Sequence, residues 1–357
     1  MMLEILKRSV SGKVKPVLSA AVLAAGVFSG CISSTPVSPR RPASEPVLKV
    51  DDNTVARRKA AFIRATGKSK VRGVVIYPQS WKDHPADDVI KRAKSYRFNR
   101  IYFVISSELE LSENLENLLD SSIKAGIAPY IVIRQRDYCK RFRGNAFIRS
   151  FSKEYPDVFE VSKMVAEYVK SGRASGFVIL IEPHRFTSVE QRQGGIDSCF
   201  IWSDLNFGAG CDNDILMKKS FATAAKAAKL NVPFTPAIAD FYHEWAVDGK
   251  LSTGNINETA KLADGSPEVL LLSTGNKPSE MAAGIKNEFD AAKCSIIPVF
   301  MVADHLSEDT ARLRRRNFSD FVRGIGFGVG KLTLRKSYSG FVTGPLRSLE
   351  YMSLEKE

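Results

Sequence analysis

Carboxylates and histidines stand at unusual places in this chain. Glu182 ends an apolar run, Ile-Leu-Ile-Glu-Pro-His, with His184 two residues on. Asp240 ends another such run and is followed at once by Tyr242, His243, Glu244 and Trp245. Asp304 ends a third, beside His305. Two carboxyl groups held at fixed separation can share acid–base work, one protonated to release a leaving oxygen and one ionised to assist water or attack carbon. The catalytic candidates are therefore Glu182, Asp304 and Asp240. Tyr77, Trp81 and His84 follow the first apolar run, Arg134 ends the third, and Trp202 lies further on. Tryptophan and tyrosine can lie against the apolar faces of sugar rings while their polar atoms reach hydroxyls. With His184, Tyr242, His243, Trp245 and His305 they form the expected substrate-binding set. Asp137, in a basic loop, has salt-bridge partners at hand.

These residues need elements to hold them, and the apolar runs supply strands. A leading helix over Thr54–Thr66 is stopped by Gly67. The runs Val71–Tyr77, Ile101–Ile105, Ala128–Ile133, Phe177–Ile181, Phe234–Ile238, Val269–Ser273, Ile296–Val302 and a glycine-rich Ile325–Val329 read as eight strands. They are apolar almost throughout, as parallel strands covered on both faces are. Helical spacing fills the intervals: Asp87–Ser95, Ser112–Ala125, Val158–Ser171, Asp214–Leu230, Glu258–Ala263, Pro278–Ala292 and Ser307–Val322. Strand–helix alternation repeated eight times predicts an α/β chain closed into a (β/α)8 TIM-like barrel over residues 50–357, with a last helix in the tail from Lys331. In that fold the working loops leave the C-terminal ends of the strands. All four histidines and all three tryptophans fall in those loops.

At architecture level the chain resembles the (β/α)8-barrel glycoside hydrolase superfamily. In the large retaining clan the acid is a glutamate ending strand 4, often as Asn-Glu-Pro. Glu182-Pro183 matches it, with Ile181 in place of the asparagine. The resemblance implies carbohydrate chemistry, with Glu182 as general acid and Asp304, or failing that Asp240, as nucleophile or base. Asp304 replaces the glutamate found at strand 7 in that clan. Two readings from other classes stand beside it. One is a glycan-binding barrel that has lost its chemistry, the other a metal-dependent hydrolase. No His-x-His follows the first strand, so no metal site is assigned, and no glycine-rich nucleotide loop or other cofactor motif is present.

Residues 1–30 read as a targeting segment. Lys7, Arg8, Lys13 and Lys15 precede an apolar stretch from Pro16 to Phe28, shorter than the roughly 20 residues that span a bilayer. It ends Phe28-Ser29-Gly30-Cys31, which resembles the lipobox of bacterial lipoproteins. That resemblance implies a lipid anchor on Cys31, an extracytoplasmic location and, from Ile32 after the cysteine, sorting to an outer membrane where one exists. Residues 31–49 are rich in Pro and Ser and read as a flexible tether. Without residues 1–30 the chain keeps 48 Lys+Arg against 38 Asp+Glu, a net charge of +10. A basic surface suits anionic neighbours, among them lipid headgroups and acidic polysaccharides. No nucleic-acid-binding motif appears. In an oxidising compartment Cys199 and Cys211, flanking one loop, are the candidate disulfide, with Cys139 as a competitor. Cys294, just before a strand, reads as a buried free thiol.

Overall fold

The computed structural model describes residues 52–67, 70–105, 112–135, 158–186, 212–263, 268–272, 283–301 and 317–352, with single positions 208, 210 and 280. Lys49–Glu357 form one compact unit. Its eight strands, β1 (Val71–Ile76), β2 (Arg100–Ile105), β3 (Ala128–Arg134), β4 (Gly176–Ile181), β5 (Phe234–Ala239), β6 (Glu268–Leu272), β7 (Ser295–Met301) and β8 (Gly340–Gly344), pair in chain order. β8 returns to β1, so the parallel barrel is closed. This is the TIM-barrel architecture expected from the alternation of apolar runs and helical spacing.

The helices are α1 (Asp52–Thr66), α2 (Ala86–Ser95), α3 (Glu113–Lys124), α4 (Val158–Lys170), α5 (Asp212–Ala228), α6 (Phe241–Val247), α7 (Ile256–Ala260), α8 (Lys286–Ala291), α9 (Phe318–Leu332) and α10 (Leu346–Tyr351). One apolar cluster lies between strands and helices, with Val74, Ile101, Phe177, Leu271 and Phe300 facing outward. A second fills the barrel, where Val75, Tyr102, Val132, Leu180, Leu270 and Val342 face inward. Strand alternation requires this division, because successive side chains leave opposite faces. The unit closes its sheet and both cores from its own residues.

The N-terminal end of the barrel is filled. Arg100 of β2 and Glu268 of β6 stand four strands apart, on opposite walls, and join across the axis at 2.6 Å. Tyr102 and Tyr130 stack beside them at 5.3 Å, and the Arg100 guanidinium lies 5.3 Å from the Tyr130 ring. A β-carbon at Gly73 would fall 2.7 Å from the Tyr102 ring, so glycine gives that ring its space.

One strand was misplaced by the sequence reading. Ile325–Val329 belongs to helix α9, and the eighth strand is Gly340–Gly344. The alternating glycines of Gly-Ile-Gly-Phe-Gly-Val-Gly mimic a two-residue period. Among them Gly326 serves close packing, since a β-carbon there would lie 2.7 Å from the Ala65 carbonyl oxygen of α1. The buried residues Phe318, Phe321, Val322, Ile325, Val329 and Leu332 keep helical spacing. The segment 307–316 of the expected preceding helix lies outside the described residues. The tail expected to be helical supplies β8 and the short α10.

Candidate functional site at the C-terminal mouth

Alternation carried past the strand ends decides which side chains reach the mouth. Inward positions Val178 and Leu180 of β4 lead to Glu182, which is 2% exposed. Tyr130 and Val132 of β3 lead to Arg134, and Val71 and Val75 of β1 lead to Tyr77. The Arg134 guanidinium lies 5.7 Å from the Tyr77 ring centroid, within cation–π reach. Leu272 of β6 and Met301 of β7 pack against the upper edge of the inner core. The described mouth is thus an apolar rim of Tyr77, Leu272 and Met301 holding one guanidinium and one buried carboxyl group. Arg134 is level with Leu180 in the β3–β4 register, so Glu182 sits two residues beyond it on the neighbouring strand.

Asp240 does not join this pair. Its carboxylate accepts the Phe241 N–H at 2.8 Å and caps α6. It also lies close enough to Glu288, in the helix layer, for their charges to oppose each other. A capping role explains an aspartate at the start of a helix without any substrate. His243 likewise turns away from the mouth. It is 5% exposed, its Nδ1 accepts the Ile256 N–H at 3.3 Å, and burial holds its pKa below the usual histidine value. Its ring fixes α7 to α6.

Tyr242 and His184 form a unit of their own. The Tyr242 hydroxyl is hydrogen-bonded to His184 Nδ1 and accepts the His184 N–H at 3.3 Å. The His184 ring stands edge-on to Phe241, 5.0 Å away, while Trp245 packs on Phe241 at 4.7 Å. This cluster ties the turn after β4 to the helix after β5 and so braces the backbone next to Glu182. Trp81 is a packing residue, 3% exposed, with Arg92 and Arg347 near its ring at 6.0 and 5.8 Å. His84 leans on its edge at 5.1 Å. A tryptophan so enclosed has no face left for a sugar.

Asp304, His305, Trp202 and Asp137 lie outside the described residues, as do Cys31, Cys139, Cys199 and Cys211. Cys294 is a free, buried thiol. Among the described residues no three His, Cys, Asp or Glu side chains group as metal ligands, and no helix is long and apolar enough to cross a membrane.

Sequence reasoning missed two buried acids. Asp214 of α5 accepts from Ser252 N–H and Oγ at 2.7 Å each, from Gly210 N–H at 3.1 Å and from Lys218 at 2.8 Å. It ties the loop after β5 to the start of α5. Glu288 of α8 is fully buried, and burial pushes its pKa up to about 7, with Asp240 and Glu244 adding to the rise. The signal for Glu288 was its helical spacing, three residues after Ile285 and next to Phe289, both buried.

No protein-family model and no curated protein matches the chain. Solved structures similar to it are barrel enzymes of several chemistries. A GH113 β-1,4-mannanase is 10% identical with a TM-score of 0.42, over 77% of this chain and 87% of the mannanase. CpGH84B is 14% identical with a TM-score of 0.41, over 80% of this chain and 48% of its own, so the chain spans about half that protein's length. A phosphoenolpyruvate phosphomutase from Streptomyces platensis subsp. rosaceus is 15% identical with a TM-score of 0.37, over 82% of each chain. Likenesses of this size extend to the barrel and not to any one of these reactions.

Proposed function

We propose that this is a surface-anchored barrel acting on the glycosidic bonds of a polysaccharide, with Glu182 as the general acid. The observation that carries the reading is the buried Glu182 carboxyl group on the inward register of β4, beside Arg134 and Tyr77 at the mouth. In this reading the Glu182 carboxyl group gives its proton to the leaving oxygen. Arg134 and Tyr77 orient the sugar, the first through its oxygens and the second through its ring. Asp304, at the end of the β7 run, is the partner carboxylate in this reading. A separation of about 5–5.5 Å from Glu182 would make it the nucleophile of a retaining enzyme, and about 6.5–9.5 Å the base of an inverting one. The anchor is the lipid on Cys31, which holds the barrel outside the cytoplasm.

The test is reducing-end release from a panel of neutral and acidic polysaccharides, by the wild-type chain and by Glu182→Gln. Turnover should vanish in the variant while binding persists; a variant that still cleaves would remove Glu182 from the chemistry. Mass analysis of the membrane-extracted protein should find acyl chains on Cys31, and Cys31→Ala should leave the protein unlipidated.

A second reading has its own observation. Asp240 caps a helix and Trp81 is enclosed, so two expected members of a hydrolytic site serve packing. A glycan-binding barrel without turnover would show saturable binding that falls on Arg134→Met and Tyr77→Ala, with no product after long incubation.

A further inference from the structure

All eight strands run parallel in a closed barrel, so the eight connections leading into them share one end of the unit. Every one of those connections presents an exposed cation. Lys70 precedes β1, Arg97 β2, Lys124 β3 and Lys170 β4. Lys229 precedes β5, Lys261 β6 and Lys293 β7, while Lys331 and Lys336 precede β8. Nearby acids are already engaged: Glu167 pairs with Lys170 at 2.8 Å, and Asp290 with Lys286 at 2.7 Å and with Arg335.

A cation near a helix C-terminus answers the helix dipole, which accounts for about one charge in each connection. It does not account for the last one. There the exposed Lys331 and Lys336 flank Leu334 in the chain, with Arg335 paired to Asp290, and Leu334 is 86% exposed, more than any other large apolar side chain described. Phe327, 51% exposed, precedes it by two turns on α9, with Lys331 Nζ 4.4 Å from its ring. Nothing in the fold requires a leucine at that turn to face water. A protruding apolar side chain flanked by exposed lysines is an arrangement that suits a membrane interface, the apolar group among acyl chains and the cations among headgroups.

We propose that the N-terminal end of the barrel docks on an anionic lipid surface, with Leu334 inserted and the cations of the eight connections facing the headgroups. The occupant is a bilayer because charge alone would suit any polyanion, whereas the leucine has a use only in an apolar phase. In that orientation the mouth with Glu182 opens away from the membrane. The proposal stands independently of any glycan and of any lipid on Cys31.

The test uses residues 49–357, the compact unit with its own closed sheet and cores, in sedimentation with vesicles of phosphatidylcholine alone or with added phosphatidylglycerol. Binding should need phosphatidylglycerol and weaken with salt. It should fall about fivefold for each of Lys331→Ala and Lys336→Ala. Leu334→Ser, which leaves the charge unchanged, should cost roughly tenfold. These side chains are exposed, and unchanged thermal melting will show that each variant folds. Leu334→Trp should give a blue-shifted emission on the same vesicles. Absence of binding to phosphatidylglycerol would overturn the proposal. So would binding that the lysine substitutions weaken and Leu334→Ser does not, since that is polyanion adhesion without a membrane seat.

Discussion

Replacing Glu288 by methionine should stabilise the protein in mild alkali and much less in acid. The glutamate is fully buried in the helix layer, and neither carboxyl oxygen meets hydrogen-bond geometry with another described residue. Burial, with Asp240 and Glu244 nearby, raises its pKa from 4.5 to about 7. The sign follows from linkage. Below pH 4.5 the acid is neutral in both folded and unfolded chains and costs nothing by this route. Above it the unfolded chain ionises while the folded one must keep its proton, so stability falls as pH rises, until both ionise above about 7. At about 1.4 kcal/mol per pH unit, the loss is about 1 kcal/mol near pH 5 and about 3 kcal/mol near pH 8. Methionine is close in volume and has no charge to bury, so it should remove this loss. His243 works in the other direction. Its lowered pKa gives stability that is present above 6.5 and lost as pH falls through its folded value. The comparison must therefore be variant against wild type at each pH, not wild type alone. Urea unfolding near pH 5 and pH 8 should give a variant-minus-wild-type difference larger by about 2 kcal/mol at the higher pH. An equal difference at both pH values would refute the assignment of a neutral, buried Glu288.

Two glycines separate backbone strain from collision. Gly67 has φ +59 and open space around its missing β-carbon, so Gly67→Ala should cost about 1 kcal/mol. Gly340 has φ +136 and its β-carbon would lie 2.2 Å from the Val71 carbonyl oxygen, so Gly340→Ala should prevent β8 from closing on β1; thermal melting of the two variants reads the contrast. Asp214 is held near pKa 2 by Lys218, Ser252 and Gly210, which together overcome the upward push of burial. Its contribution of roughly 2 kcal/mol is present above pH 3.8 and lost as pH falls towards 2, and Asp214→Ala should flatten the acid limb of the stability curve over that range.

Seven of the eight strands could be placed from the sequence to within a residue or so at either end. Parallel strands buried on both faces leave long β-branched runs that little else imitates. The eighth could not, because Gly-Phe-Val-Thr-Gly is short and bounded by glycines, whereas the glycines of α9 alternate as if in a strand. The same limit governs the site. The strand-end positions of Glu182, Arg134 and Tyr77 were legible, because the apolar runs that lead to them end there. Past the last paired residue no period operates. Nothing in Ala-Asp-Phe-Tyr-His-Glu-Trp says that Asp240 will cap a helix or that His243 will accept the Ile256 N–H. A tryptophan in a loop can be rim or core, and only the positions of Arg92 and Arg347 decide that Trp81 is core.

The two ends of the barrel differ for reasons that follow from pairing. At the N-terminal end Arg100 and Glu268 meet across the axis with Tyr102 and Tyr130 beside them, so each charge finds its partner within the wall. A ligand entering there would have to break an ion pair and displace stacked rings. At the C-terminal end Arg134 and Glu182 come from neighbouring strands, and Tyr77, Leu272 and Met301 pack against the inner core there. The closed end is also the end whose outer connections carry the cations and Leu334. Its interior is complete, so what it can offer is its surface. The docking proposed for the closed end and the chemistry proposed at the mouth therefore draw on different described side chains.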